Sequence, residues 1–243
     1  MSEGILRQNA ASEPFNGDMA AFLMAAHELK SPLALIRQLA LGLENGQLDS
    51  AQYDRIAQQI VLTSERALRL TTDLTTSGRQ DLLFDVEPLN PVSLCEEVAH
   101  ELMPLFTAQH KKIQVVNRTK PPLVVANRDL LRRILLNFGD NALHYSSVDH
   151  PVSLAVHASG EKVRVGVRDY GPAVTPDMWH VLQERLRAQT MQPVSGRPQS
   201  SGLGLYIADQ FARMMSGQIG AVRHRDGATF YVDMAASRQL SFL

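Results

Sequence analysis

The sequence predicts an α+β protein with two domains, an N-terminal antiparallel helical hairpin and then a two-layer α/β sandwich. Three observations support this class. The chain has 243 residues, enough for two ordinary domains. Apolar residues recur in alternating steps of four and three up to about residue 74, which is the period of packed helices. Beyond about residue 79, alternating segments and helical segments are mixed, as expected when helices pack on a sheet.

Two heptad seams predict the hairpin. They comprise Phe22, Ala26, Leu29, Leu33, Ile36, Ala40 and Leu43, and then Tyr53, Ile56, Ile60, Thr63, Ala67, Leu70 and Leu74. Gly46 offers a helix stop between them, and Asp49 or Ser50 offers the next N-cap. Two hairpins related by a two-fold axis form a four-helix bundle, so we expect a homodimer through residues 18–78. A hairpin that packs on its own chain is the alternative, because heptads do not specify the partner.

The predicted domain boundaries are a flexible segment at 1–17, the hairpin at 18–78 and the second domain at 79–243. Strands are predicted at 84–89, 113–117, 123–126, 151–158, 162–168, 218–223 and 229–234, and helices at 91–108, 128–145 and 203–215. Asn127 is the predicted N-cap of the second of these helices. The polar stretch 171–201 is interpreted as a mobile loop that contains one helical pattern around 179–186. These elements predict a sheet with helices on one face.

Composition excludes several classes of partner. With 24 Lys and Arg against 25 Asp and Glu, the chain has no basic field to attract nucleic acid or anionic lipid. No apolar run approaches the roughly 18–20 residues of a membrane span, so we expect no direct membrane insertion. A single cysteine, Cys95, excludes an intrachain disulfide framework and suits a reducing, cytoplasmic compartment.

The first candidate for chemistry is HELKSPL at residues 27–33. His27 falls beside the apolar seam, so its imidazole is expected to face solvent next to Glu28. A neutral imidazole is a competent nucleophile, and a neighbouring carboxylate can serve as a base. Pro32 costs about 3 kcal/mol inside a helix and is expected to bend it just after His27. The alternative is a solvated surface histidine beside an acid.

The second candidate is NFGDNALHYS at residues 137–146. Asn137 and Asn141 are four residues apart and therefore share one helix face. A neutral amide oxygen can bind Mg²⁺ without adding negative charge beside a triphosphate. The alternative is that both amides only cap or solvate the helix.

Two glycine-containing segments complete the set. Asp169 lies at a predicted strand end before Gly171, where a buried carboxylate can accept the exocyclic amine of adenine and a glycine lets the backbone approach the base. An ordinary Asp-x-Gly turn is the alternative. Gly202 and Gly204 directly precede a predicted helix, and backbone N–H groups there suit a phosphate.

In order and position, these motifs closely resemble the histidine kinase family from about Asp18 to Met234. HELKSPL is similar to the H box of that family, NFGDNALHYS to its asparagine box, DYGPA and SSGLGLYIA to its two glycine boxes, and DGATFYVDM to its closing strand. The resemblance implies a sandwich of the GHKL or Bergerat type, shared with Hsp90, MutL and gyrase, preceded by a dimeric four-helix bundle. It further implies a protein-histidine kinase that uses ATP and Mg²⁺.

The resemblance also implies residue roles. His27 would take the γ-phosphoryl group as a phosphoramidate, Glu28 would accept its proton or orient it, and a receiver-domain aspartate of a response regulator would receive the group next. Ser31 matches the position that assists the reverse, phosphatase reaction. The implied nucleotide-binding residues are Asn137, Asn141, His144, Tyr145, Asp169, Gly171, Gly202, Leu203, Gly204 and Leu205, with Asn141 and Asn137 as Mg²⁺ ligands and Asp169 as the reader of adenine.

Several positions depart from the family pattern. His144 stands where Lys or Arg usually reaches the phosphates, which would replace a fixed cation by a titratable one unless Arg132 or Arg133 on the same helix serves instead. Ala173 and Ser200 replace glycines, and residues 183–186 lack the usual aromatic lid residues. A degenerate histidine phosphotransfer protein with a weak or non-functional nucleotide site is therefore the alternative. An ATPase clamp or anti-sigma-like kinase is a third, but it would need no phosphoacceptor hairpin.

Overall fold

The computed structural model describes residues 15–45, 48–77, 84–117, 121–172, 175–187 and 203–238. It begins with two long helices that pack on each other, α1 (Phe15–Asn45) and α2 (Ser50–Ser77), which confirms the predicted hairpin. The start of α2 is a capping box. Asp49 Oδ1 accepts from the Gln52 backbone N–H at 2.7 Å, and Gln52 Oε1 accepts from the Asp49 N–H at 3.1 Å. Helix α1 runs on through Pro32.

Much of the apolar surface of the hairpin is open to solvent in the single chain. Leu33 of the first predicted seam is 58% exposed, and Tyr53 of the second is 53% exposed. A further apolar pair on α2, Val61 and Leu68, lies one heptad apart at 55% and 67% exposure. The apolar stripe of each helix is therefore wider than a two-helix seam requires, as is typical of helices in a four-helix bundle.

The second domain follows the predicted order of helices and strands. Its elements are β1 (Glu87–Leu89), α3 (Pro91–Ala108), β2 (Ile113–Val115), β3 (Val124–Ala126), α4 (Arg128–Tyr145), β4 (Val152–Ser159), β5 (Lys162–Arg168), α5 (Pro176–Arg187), α6 (Leu203–Met214), β6 (Gln218–His224) and β7 (Gly227–Ala235). The first three strands are shorter than predicted. The predicted edge strand at 84–89 is reduced to the three residues of β1.

Five of the strands form one sheet in the order β2-β4-β5-β7-β6, with β2 and β4 parallel and the other neighbours antiparallel. Helices α3, α4 and α6 contact this sheet, while β1 and β3 form a separate antiparallel pair. Along β5, Val163, Val165 and Val167 are buried, whereas Arg164 on the other face pairs with Asp233 at 2.7 Å. The alternation confirms the two-layer sandwich, with one sheet face under the helices and one polar face.

The N-cap of α4 fixes which residues this helix presents to the rest of the protein. Asn127 Oδ1 accepts from the Leu130 N–H at 3.1 Å, as predicted. From that start, one face of α4 is buried in the core through Leu130, Leu131, Ile134, Leu135 and Phe138. The polar residues of the helix are left on the side that faces the hairpin and the start of α6, where α2 also contacts α6. No helix within the described ranges is both long and apolar enough to cross a membrane.

Candidate active site

A cavity of about 650 Å³ lies where the hairpin meets the α/β domain. It has the size of a small-molecule site. Four elements supply polar groups to its lining: Glu28 and Ser31 from α1, Arg66 from α2, Asn137, Asp140, Asn141 and His144 from α4, and Gly204 from α6. Tyr145 and Leu205 also line it. The structure thus brings eight of the predicted site residues, from both domains, to one space.

The α4 side of this cavity holds polar atoms whose hydrogen-bonding capacity is unused. Among the described residues, Asn137 Nδ2 and Asp140 Oδ1 are buried without a hydrogen-bond partner. Leaving such a group unpaired costs about 1–3 kcal/mol, so it points to a ligand. Gly204 lies beside Asn137, because a Cβ built on Gly204 would meet the Asn137 side chain at 4.0 Å. The start of α6 therefore lies next to the amide-bearing face of α4.

The donor set fits a nucleotide with Mg²⁺ better than a metal held by the protein alone. In the described part of the chain, no cluster of three or more His, Cys, Asp or Glu side chains could hold a metal ion. The Asn137 and Asn141 amides could supply oxygen ligands, and Mg²⁺ commonly completes its shell with phosphates and water. An amide face beside a helix N-terminus suits that chemistry.

Asp169 has the burial expected of a base-reading carboxylate, being 2% exposed at the end of β5. Its Oδ1 accepts from the Ala228 N–H at 3.1 Å, which fixes the side chain against the start of β7.

Gly171 is required for a reason that the sequence did not reveal. A Cβ at this position would lie 1.9 Å from the Tyr145 carbonyl oxygen, so the residue must be glycine for the end of α4 to pack here. Leu203 is fully buried in the core.

Two predicted site residues cannot be placed in full. The His27 backbone lies in α1, but its side chain is outside the described residues, as is Gly202. The neighbours of His27 on α1, Glu28 and Ser31, do line the cavity.

A charged stripe on α2, made of Arg66, Arg69 and Asp73, was missed by the sequence reasoning. The Arg66 Nη1 lies 3.2 Å from His144 Nε2. Arg69 Nη1 donates to Glu101 Oε1 at 3.2 Å. The steps of three and four between these charges place them on one helix face, and that spacing was the available signal.

At the other end of this stripe lies a buried interdomain ion pair. Asp73 is only 5% exposed, and its Oδ1 accepts from Arg133 Nη1 at 2.5 Å. Burial raises the pKa of the Asp73 carboxyl, although Arg133 acts in the opposite direction. The pair therefore joins α2 to α4 at a desolvation cost.

The His144 ring is held in a neutral form. Its Nδ1 lies 3.0 Å from the Asp140 carbonyl oxygen and must donate to it, so Nε2 is left to accept from Arg66. This tautomer is assigned from the hydrogen-bond pattern. The ring is open to the cavity, yet the protein around it lowers the pKa of His144. The largest cause is desolvation of the charged imidazole, and the positive charge of Arg66 is the second. The arrangement does not support the expectation that His144 supplies the cation near neutral pH.

The other candidates for that cation are engaged outside the cavity. Arg133 pairs with Asp73, and Arg132 forms a short ion pair with Glu101. Neither arginine is among the residues that line the cavity.

Comparison with known proteins agrees with this architecture. Residues 126–238 match the family described as histidine kinase-, DNA gyrase B-, and HSP90-like ATPase. The chain is 29% identical over 212 residues to the adaptive-response sensory kinase SasA of Parasynechococcus marenigrum, a match that covers 85% of this chain and 54% of SasA. It is 33% identical over 200 residues to the sensor protein QseC of Salmonella typhi, covering 78% of this chain and 41% of QseC. The chain thus spans about half the length of these curated relatives or less.

Solved structures give the same fold over both domains. Full-length ShkA in complex with AMPPNP matches with a TM-score of 0.58 at 24% identity, over 91% of this chain and 46% of ShkA. The Acinetobacter baumannii histidine kinase AdeS matches with a TM-score of 0.58 at 16% identity, over 87% of this chain and 98% of the AdeS chain. Sequence motifs, the two-domain fold and these relatives agree, and together they support a histidine kinase core in this chain, with a GHKL-type ATP-binding domain after its helical hairpin.

Proposed function

We propose that this chain is the ATP-dependent kinase of a two-component system, which phosphorylates itself on His27 and passes the phosphoryl group to an aspartate of a response regulator. One observation carries the proposal. Glu28 and Ser31, which follow His27 on α1, line the same cavity as Asn137 and Asn141 of the ATP-binding domain. This shared cavity supports the proposal, because a direct transfer requires the phosphoacceptor and the nucleotide to lie side by side.

In the proposed reaction, an imidazole nitrogen of His27 forms a bond to the γ-phosphorus while the bond to the bridging oxygen of ADP breaks. ADP leaves with the electron pair, and the imidazole proton passes to Glu28. The cavity between the domains positions the two reactants, and phosphoryl transfer depends mainly on such positioning and on charge neutralisation.

Residues of α4, of the end of β5 and of the start of α6 would hold the nucleotide. Asn137 and Asn141 would bind Mg²⁺ through their amide oxygens, and the ion would neutralise the phosphates. Both residues line the cavity, which supports this role, and the unpartnered Asn137 Nδ2 could donate to a phosphate oxygen. Asp169 would accept the adenine amine, and Gly202 and Gly204 would shape the phosphate end. Tyr145 and Leu205 line the same cavity, which supports their assignment to the nucleotide site.

The remaining assignments concern partners. A homodimer through residues 18–78 would cover the exposed apolar side chains of the hairpin, among them Leu33 and Leu68. The exposed Ser31 hydroxyl would orient water in the reverse, phosphatase reaction. A receiver domain would dock near His27, and the cytoplasm would supply ATP and keep Cys95 reduced.

Incubation of the purified chain with γ-labelled ATP and Mg²⁺ tests the proposal. We expect acid-labile, base-stable label on the wild type and none on His27→Ala, while both proteins bind ATP with similar affinity. Retained label on His27→Ala would refute the phosphoacceptor assignment. No label on the wild type, combined with labelling by a second histidine kinase, would favour the degenerate phosphotransfer protein.

Asn141→Ala tests the Mg²⁺ assignment by calorimetry. We expect the variant to lose the Mg²⁺-dependent part of ATP binding. Gln58→Ala, which removes an exposed amide from α2 outside the cavity, should bind like the wild type. Equal ATP affinity of Asn141→Ala and wild type in the presence of Mg²⁺ would show that Asn141 has only a structural role.

A further inference from the structure

We propose that Arg66, a residue of the hairpin, supplies the fixed positive charge that faces the nucleotide phosphates in the ATP-binding domain. This inference rests on the proposed nucleotide-binding function and adds a phosphate-binding residue to it. The site would then be complete only when α2 is docked against α4.

The charges around the cavity support this role. Among the described residues that line it, Arg66 is the one with a permanent positive charge, whereas Glu28 and Asp140 are acidic and His144 is held neutral by its hydrogen bonds. A nucleoside triphosphate carries several negative charges, and the two nearby carboxylates repel it. A guanidinium in the same cavity attracts the phosphates and offsets this repulsion.

The geometry holds the guanidinium against the α4 side of the cavity, where Asn137 and Asn141 lie. Arg66 Nη1 lies 3.2 Å from His144 Nε2, and its Nε lies 3.7 Å from Asp140 Oδ2. His144 is one turn beyond Asp140 and three residues after Asn141, so Arg66 reaches the amide-bearing face of α4. Its side chain remains 38% exposed, which leaves donors accessible to a ligand. His144 thus becomes a residue that positions the cation.

The arginines nearest to Arg66 have other roles. Arg69, one turn along α2, contacts Glu101 and Asp140 but does not line the cavity. Arg132 and Arg133 of α4 pair with Glu101 and Asp73. Among these four arginines, Arg66 is therefore the one that both lines the cavity and contacts the other domain.

A regulatory consequence follows from the location of Arg66 on the hairpin. If docking of α2 strengthens phosphate binding, the bound phosphates must strengthen docking by the same factor, because such coupling is reciprocal. A signal that shifts α2 relative to α4 would then change ATP affinity without altering any residue of the ATP-binding domain.

Calorimetric titrations of the full chain with ATP, ADP and AMP in the presence of Mg²⁺ test the proposal. Arg66→Gln should weaken ATP binding by about tenfold or more, the size expected when a charge-assisted hydrogen bond is lost. ADP should lose less, and AMP should bind as it does to the wild type. Arg66→Lys, which keeps the charge, should recover most of the ATP affinity.

Arg69→Gln is the matched control, because Arg69 joins the same two domains without lining the cavity. Any loss of ATP affinity in Arg69→Gln comes through weaker docking alone and should be clearly smaller than the loss in Arg66→Gln. Equal losses of ATP and AMP affinity in Arg66→Gln, or an equal loss of ATP affinity in both glutamine variants, would overturn the proposal, as would unchanged ATP binding. A wild-type chain that binds none of the nucleotides would instead refute the nucleotide-binding function and this inference with it. Circular dichroism identifies a variant that does not fold. If Arg66→Gln does not fold, Arg66→Lys tests the proposal instead. An ATP affinity of Arg66→Lys near that of the wild type agrees with the proposal, and an equal loss of affinity for all three nucleotides contradicts it.

Discussion

The hairpin and the α/β domain of this protein are stabilised in different ways. Most of the large apolar side chains described in the α/β domain are buried between one sheet face and the helices that cover it, and its core residues Leu135, Phe211 and Val165 have no exposed surface. In the hairpin, the buried residues within the described ranges are Ala25, Ala67 and Asp73. A sheet with helices encloses its own core, whereas two helices cannot. The first domain therefore depends on surfaces that it does not itself provide.

Core truncation should give the largest contrast between the two regions. Leu135→Ala should destabilise the α/β domain by about 2–5 kcal/mol, because a fully buried leucine leaves a cavity. Leu68→Ala should change the same transition by less than about 0.5 kcal/mol. Urea denaturation followed by the fluorescence of Trp179, the single tryptophan, which lies in α5, reports on this domain. Similar midpoints for both variants would contradict the contrast.

A charge on the hairpin should affect assembly rather than folding. Leu68→Asp should weaken the proposed dimer by at least about 2 kcal/mol, because the carboxylate would be buried without a partner. Val148→Asp is the control, since Val148 is 57% exposed in the α/β domain. Light scattering at micromolar concentration should give a dimeric wild type and control and a monomeric Leu68→Asp. A monomeric wild type would refute the four-helix bundle.

The ion pair between Asp73 and Arg133 should hold the two domains together by less free energy than either of the two preceding effects. A double-mutant cycle with Asp73→Asn and Arg133→Gln should give an interaction energy of about 1 kcal/mol. The value is modest because desolvation of Asp73, which raises the pKa of its carboxyl, offsets part of the attraction. Amide hydrogen exchange of α2 around Asp73 measures the opening free energy in each variant. Additive effects would show that this contact does not hold the domains together.

Titration of His144 should give the smallest effect. Burial and Arg66 lower the pKa of His144, so the undocked state binds a proton more readily than the docked state. The contribution of His144 to docking is therefore complete above its ordinary pKa of about 6.5 and is lost as the pH falls through the lowered pKa. The NMR signal of the ring, assigned with His144→Asn, should titrate below that ordinary value, and Arg66→Gln should raise the pKa. An unchanged pKa in Arg66→Gln would contradict the contact.

Local sequence patterns were sufficient to predict most elements of both regions. The Asn127 cap and the apolar period after it predicted α4 from Arg128 to Tyr145, and strict alternation predicted β5 from Lys162 to Arg168. These predictions succeeded because caps and side-chain periods act within a few residues. The strand at 84–89 was predicted too long, since only its last three residues find a partner, in β3. Pairing with a distant strand is not written in local alternation.

The sequence by itself determined which side chains share a helix face, and so it grouped Asn137 with Asn141 and identified His144 as a departure from the family pattern. Only the tertiary structure decided what those faces meet. Arg66 and His144 are 78 residues apart in the chain, and no periodicity within α2 or α4 indicates that they touch. Helical spacing fixes the angle of a side chain around its own axis, whereas contact between helices depends on how whole elements dock. Local patterns therefore point to α4 for a phosphate-binding cation, whereas the fold brings the proposed one, Arg66, from α2.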